Sequence, residues 1–522
     1  MEKFLERYGS EVKGVLSGWD RIAFRGTIRW LSSVRGMDTY LSAHNILLKD
    51  YAKWVSSLTD RIRGSSEAVA DSLGIRRIYL RSSAIDKDAL AKQIAEANDI
   101  ETGPICMFSV VEPSWSPTVV GSRQSRKLEI VMRLRKCIWL YFYFNDARFG
   151  FGHLRLQTWM PFSIKGCLNG RHWLERSLIE AGIRYIKQDN CFRWIADPVR
   201  AQTLMDVQLR THWPSLLDSL VDRYFPVVRG LFPDSPMHYY WSADESEWAS
   251  DVMFRNTATL DRLFPMLARH ALIVSDSATV MRYLGHIAPN AALPGHVTGD
   301  IRGDRRRRFE GLCVKHHVGR NSIKAYNKAG NVLRAETTIN HSRAFKVFRA
   351  ANDNRRRAPT WLPMRKGVAD MERRSRVSQA ANERYLNAMA AASTNETVLE
   401  TVKDACRRTT RNGRPVRALN PFGPYDFHLL HFLTQGQWTV NGLRNRDLAH
   451  WLDPHADTLS PPERTRLCSR VSRLLGILRA HGLIRKVPRT HRYVVTHKGL
   501  RIAALIIAAS TIDAQTLMEK AA

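Results

Sequence analysis

Four acidic residues that could take part in hydrolysis lie close together in the middle of the chain: Asp244, Glu245, Glu247 and Asp251. Enzymes that cleave nucleic acids with two metal ions need carboxylates that converge on those ions. Asp244 and Asp251 are therefore candidate catalytic residues, and Mg²⁺ or Mn²⁺ is the candidate cofactor of such an endonuclease. The alternative is structural, because acidic residues in a basic chain often cap helices or form ion pairs.

A second candidate for chemistry is a tyrosine in a segment with hairpin character. Strand-like residues on both sides of Ala329-Gly330-Asn331 predict a β-hairpin that carries Tyr326, Lys328 and Glu336. Its pattern, Tyr-x-Lys followed by Leu-Arg-x-Glu, resembles part of the rolling-circle replication initiators. The resemblance makes Tyr326 and Glu336 candidate catalytic residues and Lys328 a candidate nucleic-acid contact. Three other tyrosines compete for the role of nucleophile, and these are Tyr185, Tyr239 and Tyr240.

The metal ligands of those initiators have no counterpart at the expected spacing. Alternate residues of a strand share a face, so a His-x-His pair can chelate one ion, whereas adjacent histidines point to opposite faces. The nearest candidates are the segment His153–Gln157 and the adjacent pair His316-His317, and neither has the spacing. The metal ligands therefore stay unassigned. The structural alternative is a hairpin in which Arg334 and Glu336 form a surface pair.

The most specific pattern lies between residues 426 and 510. Short helices are predicted at Phe427–Thr434, Arg444–Trp451 and Glu463–His481, followed by a basic hairpin and a closing helix from Lys498. Apolar residues at helical spacing predict that the third helix turns its arginines outward, namely Arg464, Arg466, Arg470 and Arg473. The hairpin adds Arg489 and Arg492.

This arrangement indicates a helix that reads the major groove and a hairpin that lies over the phosphate backbone. The segment resembles winged-helix regulators of the MarR-like type. The alternative for such a module is contact with protein or dimerisation, and the apolar closing helix could form a dimer surface or pack on its own domain.

Net charge points to the class of partner. The chain has 80 lysines and arginines against 49 aspartates and glutamates, a formal charge of +31. Nucleic acid fits this surplus best, because basic side chains displace counterions from phosphates. An anionic membrane is the rival partner, but the longest apolar run near the end, Ile502–Ala509, is too short to span one. Candidate phosphate contacts include the run of Arg305, Arg306, Arg307 and Arg308.

Other residue patterns narrow the compartment and the activity. Seven scattered cysteines without a Cys-x-x-Cys pair argue against disulfides and against a cysteine zinc site, which favours a reducing, cytoplasmic location. Neither a phosphate-binding Gly-x-x-x-x-Gly-Lys loop nor a dinucleotide fingerprint occurs in the sequence, which argues against nucleotide hydrolysis.

The elements needed to position these residues predict an α+β fold, with a mixed helical and antiparallel-sheet body and a C-terminal winged-helix domain. Four regions follow: a helical and βαβ region at 1–130, an α+β domain at 131–345, a basic helical linker at 346–425 and the winged helix at 426–522. Residues 1–75 and 198–290 are predicted to be mostly helical, with a break at the segment HYYWSADESEW.

Across nearly its full length the chain resembles an uncharacterised bacterial protein family, through the segments FRGT, YFYF, RLQTWMPF, NGRHWL and DNCF, the Tyr326–Glu336 hairpin and the winged helix. The resemblance implies an organisation and no activity. Our leading hypothesis is a nucleic-acid-binding protein of a mobile or replicating element, with DNA nicking or strand transfer as its candidate activity, which binds duplex DNA and could form a homodimer. The alternative is a non-enzymatic transcription regulator or a structured-RNA-binding protein.

Overall fold

Strands and helices were assigned in a computed structural model that describes residues 1–124, 126–234, 237–275, 277–285, 297–303, 312–351, 358–390, 398–434, 438, 442–488 and 490–511. Its strands are β1 Val12–Thr27, β2 Arg76–Leu80, β3 Gly103–Gly121, β4 Leu128–Asp146, β5 Gly150–Gln157, β6 Ile164–Asn169, β7 Tyr185–Gln188, β8 Cys191–Ile195, β9 Tyr240–Phe254, β10 Val297–Gly303, β11 Leu312–Val318, β12 Asn321–Lys328, β13 Val332–Ile339, β14 Lys346–Arg349, β15 Thr360–Pro363, β16 Thr409–Arg411, β17 Arg414–Val416, β18 Leu443–Arg444, β19 Ile484–Lys486 and β20 Arg492–Val495.

Its α-helices are α1 Glu2–Tyr8, α2 Val34–Ala43, α3 Tyr51–Ser72, α4 Lys87–Ala97, α5 Gly170–Glu180, α6 Pro198–Val207, α7 Trp213–Tyr224, α8 Thr257–Val274, α9 Ser277–Leu284, α10 Met371–Ala390, α11 Val398–Val402, α12 Pro424–Leu433, α13 Asn445–Leu452, α14 Pro461–Ala480 and α15 His497–Ser510. Among the described residues, no helix combines the length and the apolar character that a membrane crossing needs.

One large mixed sheet organises the body of the molecule. Within the described residues it has eleven strands, in the order β10-β11-β12-β13-β9-β1-β6-β5-β4-β3-β2. Strands β2 and β3 are parallel and joined through α4, which confirms the predicted βαβ unit. The other neighbours in this sheet pair antiparallel, including β4 with β5 and β12 with β13, as the sequence predicts. The body is therefore a mixed α+β structure.

Two long strands were missed because their sequences do not look like strands. The predicted N-terminal helix ends at Tyr8, and β1 follows as a central strand between β6 and β9. Strand β9 occupies the segment that was interpreted as a break between helices. Acidic residues are unfavourable in strands, but Asp244, Glu245 and Asp251 of β9 form ion pairs with arginines of neighbouring strands, which overrides the propensity.

Two of the predicted region boundaries do not separate units that pack independently in the structure. The boundary between residues 130 and 131 falls inside β4, and pairing of β3 with β4 joins the two regions in one sheet. The region 346–425 is also more than a linker, because α10 packs on β9 and β13, where the buried Asn382 amide donates to the Trp248 and Ala335 carbonyls. The buried face of this helix contains several polar residues, so its sequence resembles that of a solvent-exposed helix.

The described residues from Val402 to Ile506 contribute to a hydrophobic core of their own. Helices α12, α13 and α14 enclose it with a three-stranded sheet of order β18-β20-β19 and the final helix α15. The element types and places match the three predicted helices, the basic hairpin and the closing helix. Helix α15 packs on α12 with Ile502, Ala503 and Ile506 buried, which is the second of the two arrangements expected for it.

Candidate nucleic-acid interface and sheet-face cavity

Arg334 lies inside the sheet and not on its surface. Its Nε and Nη2 atoms bind the two carboxylate oxygens of Asp251 at 2.6 and 2.8 Å, and Nη1 binds Asp20 Oδ2 at 2.9 Å. Arg171 approaches the same Asp251 carboxylate at 3.4 Å. Burial alone would raise the pKa of Asp251, but Arg171 and Arg334 hold that pKa below its usual value. Asp251 is therefore the anion of a buried ion-pair cluster.

The other two hairpin candidates are also buried. The Tyr326 hydroxyl donates to Glu336 Oε2 at 2.9 Å, and Lys324 Nζ lies 2.9 Å from Glu336 Oε1. Both Tyr326 and Glu336 are 1% exposed. The predicted surface pair between Arg334 and Glu336 is wrong, because each binds a different partner. A tyrosine so placed cannot reach a phosphorus atom without rearrangement of the sheet, which argues against its predicted catalytic role.

The predicted pair of catalytic carboxylates does not converge. Asp244 and Asp251 are seven residues apart on β9, roughly 20 Å at the rise of an extended strand. Asp244 binds Arg25 at 2.6 Å and Lys366 at 2.5 Å. In the part of the chain that is described, no group of three or more histidine, cysteine or acidic side chains is arranged to hold a metal ion. The ion-pair alternative raised for the acidic residues is confirmed for both aspartates.

Glu247 differs from these carboxylates because it lies near other acids. Burial, followed by repulsion from Glu336, raises its pKa above the ordinary value of 4.5. The folded protein therefore keeps a proton that the unfolded chain releases. Each rise in pH above about 4.5 then favours the unfolded chain, until the folded-state pKa is passed.

We expect Glu247→Gln to flatten the alkaline loss of stability. The neutral amide removes the ionisable proton, so the variant should gain unfolding temperature relative to the parent as the pH rises from 6 to 9. Thermal unfolding followed by circular dichroism at a series of pH values measures this difference. A parallel shift of both proteins across the series would contradict the assignment.

Helix α14 presents the predicted arginines to solvent. Leu467, Val471 and Leu474 are buried in the C-terminal core, and the four predicted arginines, Arg464, Arg466, Arg470 and Arg473, are all exposed. Three of them recur at helical spacing i, i+4 and i+7, so they form one stripe. None of the four has an ion pair or hydrogen bond with any described residue. Between Arg464 and the stripe lie small polar residues, namely Thr465, Cys468, Ser469 and Ser472.

The remaining predicted contacts are distributed differently. In the hairpin after α14, Arg485 and Lys486 are exposed and Arg492 is half-buried. Lys328 is half-buried at the end of β12, with Nζ 5.9 Å from the centroid of the Tyr326 ring. Five predicted contacts lie outside the described residues, and these are Arg305, Arg306, Arg307, Arg308 and Arg489.

An open cavity of about 650 Å³ on one face of the large sheet was not predicted. Its floor carries Arg155 of β5, Lys165 of β6 and Arg25 of β1, and its rim includes Lys87 and Lys366. The sequence signal was weak, because these residues come from segments far apart in the chain. Only the register of the strands brings them together.

Comparisons of the chain with family models, with curated proteins and with solved structures find no match.

Proposed function

We propose that this chain is a nucleic-acid-binding protein whose residues 424–511 act as a winged-helix unit on duplex DNA. The observation that carries the proposal is the exposed stripe of Arg466, Arg470 and Arg473 on α14, which has no carboxylate partner among the described residues. An exposed arginine that binds no carboxylate of its own protein has its guanidinium donors available for a DNA phosphate or a base edge.

The order of elements supports a winged-helix assignment. Helices α12, α13 and α14 precede a hairpin formed by β19 and β20, and β18 completes the small sheet. In this arrangement α14 is the helix that enters the major groove. The exposed Arg485 and Lys486 then lie on the adjoining hairpin, where they can contact the phosphate backbone.

The net positive charge of residues 424–511 also favours a polyanion as the binding partner. Residues 424–511 contain thirteen lysines and arginines and five aspartates and glutamates. One of those acids, Glu463, is used in the capping box of α14, where its carboxylate accepts from the Ser460 backbone at 3.0 Å. Another, Asp426, binds Arg417 at 2.6 Å. These acids are therefore occupied away from the arginine stripe.

Duplex DNA fits the unit better than duplex RNA. The major groove of B-form DNA is wide enough for an α-helix, whereas the major groove of A-form RNA is too narrow for side chains to read. Thr465 and Ser469, between Arg464 and the stripe, can reach base edges of either pyrimidine or purine as donors or acceptors. A structured RNA as the main partner is therefore one outcome of the test.

The proposed function is DNA binding without DNA cleavage. Tyr326, Glu336 and Asp251 are buried, and Asp244 is held by two cations. Incubation of supercoiled plasmid with the protein and Mg²⁺ or Mn²⁺ tests whether the protein nicks DNA. Relaxed circles that disappear in a Tyr326→Phe or Glu336→Gln variant would restore the nicking hypothesis and a place in a mobile or replicating element.

We expect duplex binding to weaken steeply with salt. If about five cations of α14 and the hairpin each displace a counterion, log K should fall against log salt with a slope of about −4 to −5. Fluorescence anisotropy with a labelled random-sequence duplex measures the slope, and duplex RNA and single-stranded DNA serve as comparison probes. A flat salt profile, or tighter binding to RNA at every salt concentration, would contradict the proposal.

A further inference from the structure

Three basic side chains stand side by side across the floor of the sheet-face cavity. Arg155 lies directly opposite Lys165, and Lys165 lies directly opposite Arg25, on the adjacent strands β5, β6 and β1. Directly opposed side chains in antiparallel strands have Cβ atoms about 5 Å apart, and like charges in these positions are destabilising. The row is therefore unfavourable unless anions compensate it.

Two carboxylates compensate the ends of this row but not its centre. Glu112 lies 3.1 Å from Arg155 and 3.2 Å from Lys87, and Asp244 bridges Arg25 and Lys366 on the other side. Lys165 forms no ion pair with any described residue. Each carboxylate is thus shared between two cations, and a fifth cation stands between them.

The other acids of the cavity are already bound elsewhere. Asp86 caps α4 by accepting from the Ala89 backbone at 3.0 Å, and Asp88 accepts from the Tyr143 hydroxyl at 2.7 Å. Glu245 pairs with Arg21. No carboxylate of the described lining is therefore left to neutralise the centre of the row.

The state of Lys165 agrees with this geometry. Burial, together with the neighbouring guanidinium groups of Arg155 and Arg25, lowers the pKa of Lys165 to about 8. Asp244 and Glu112 offset this lowering only in part, and neither forms an ion pair with Lys165. An anion bound above the row would supply further negative charge and raise the pKa again.

We propose that this cavity binds the phosphate group of a nucleotide, with Lys165 at its centre and Arg155 and Arg25 on either side. A phosphate has several acceptor oxygens and up to two negative charges, which match a row of three cations on adjacent strands. The volume of about 650 Å³ falls in the range of small-ligand sites. The site does not depend on the proposed winged helix, because α14 contributes no residue to it.

Two sources of that phosphate are distinguished by the choice of probe. Calorimetric titration of the full chain uses inorganic phosphate, adenosine monophosphate, and a short single-stranded oligonucleotide with or without a 5′-phosphate. Binding of the monophosphate assigns a free nucleotide. Binding of the oligonucleotide alone assigns a strand if Lys165→Gln weakens it and Arg470→Glu/Arg473→Glu does not, and dependence on its 5′-phosphate then assigns a strand end. Failure of all four probes to bind would overturn the proposal.

Lys165→Gln is expected to weaken binding of the successful probe by about tenfold or more, because a charge-assisted contact is lost. Lys165→Arg should retain most of the affinity, and Lys53→Gln, an exposed change on α3, should leave it unchanged. Without ligand, Lys165→Gln should unfold at the same or a higher temperature, since it relieves repulsion. Equal affinity in Lys165→Gln and the parent would refute the site. An Arg470→Glu/Arg473→Glu protein should bind the monophosphate normally, so the two proposals fail separately.

Discussion

Reversal of Arg470 and Arg473 to glutamate is expected to weaken duplex DNA binding by about 100-fold or more at moderate salt. Both side chains are exposed on α14, so the change removes two cations from the groove-facing stripe and places two anions opposite phosphates. The salt slope should become shallower by about two units as well. Because neither guanidinium forms an ion pair or hydrogen bond with a described residue, the unfolding temperature should change little.

A matched control separates a local effect from a change in net charge. Lys53→Glu/Arg63→Glu alters the charge of the whole protein by the same amount, on exposed positions of α3. This variant should keep nearly the affinity of the parent. Equal losses in the two variants would mean that binding follows total charge and that α14 has no special part in it.

Arg334→Leu is expected to lower the free energy of unfolding by about 3–5 kcal/mol, because it removes the ion-pair partner of buried Asp20 and leaves buried Asp251 with Arg171 alone. Arg334 is fully buried, and Asp251 and Asp20 both depend on it. Chemical denaturation monitored by tryptophan fluorescence measures the loss. The exposed pair of Arg376 and Glu372 on α10 provides the comparison, and Arg376→Leu should cost less than about 1 kcal/mol.

A second variant shows whether the loss of stability in Arg334→Leu comes from the unpaired charge. Asp251→Asn combined with Arg334→Leu removes one stranded anion, so the double variant should be more stable than Arg334→Leu alone. If the double variant is the less stable of the two, packing of the arginine stem would outweigh its charge, and the assignment of an ion-pair cluster would be wrong.

Sequence patterns correctly predicted those features that depend on residues close together in the chain. The apolar positions Leu467, Val471 and Leu474 set which face of α14 is buried, and that placed its arginines outside. Hairpin signals around Ala329-Gly330 located the turn between β12 and β13, where both residues have positive φ. In each case the relevant neighbours lie within a few turns or one hairpin of the chain.

The sites that depend on strand register escaped prediction. Arg25, Arg155 and Lys165 meet only because β1 lies beside β6 and β6 beside β5. The acidic residues of β9 resembled a metal cluster, but their partners Arg334 and Arg25 come from remote strands. Sequence spacing along one segment cannot show which cations of other segments will face it.

The central position of β1 has a consequence for how the protein is made. One edge of β1 pairs with β9, which ends at Phe254, and helix α1 just before it contacts α10, where Arg7 Nη1 binds the Ala390 carbonyl at 3.1 Å. At a synthesis rate of 5–20 residues per second, the ribosome completes β9 roughly 12–50 s, and α10 roughly 20–80 s, after synthesis begins. Until β9 is made, the edge of β1 that pairs with it stays open, so chaperones that hold extended apolar segments should meet this protein early in translation.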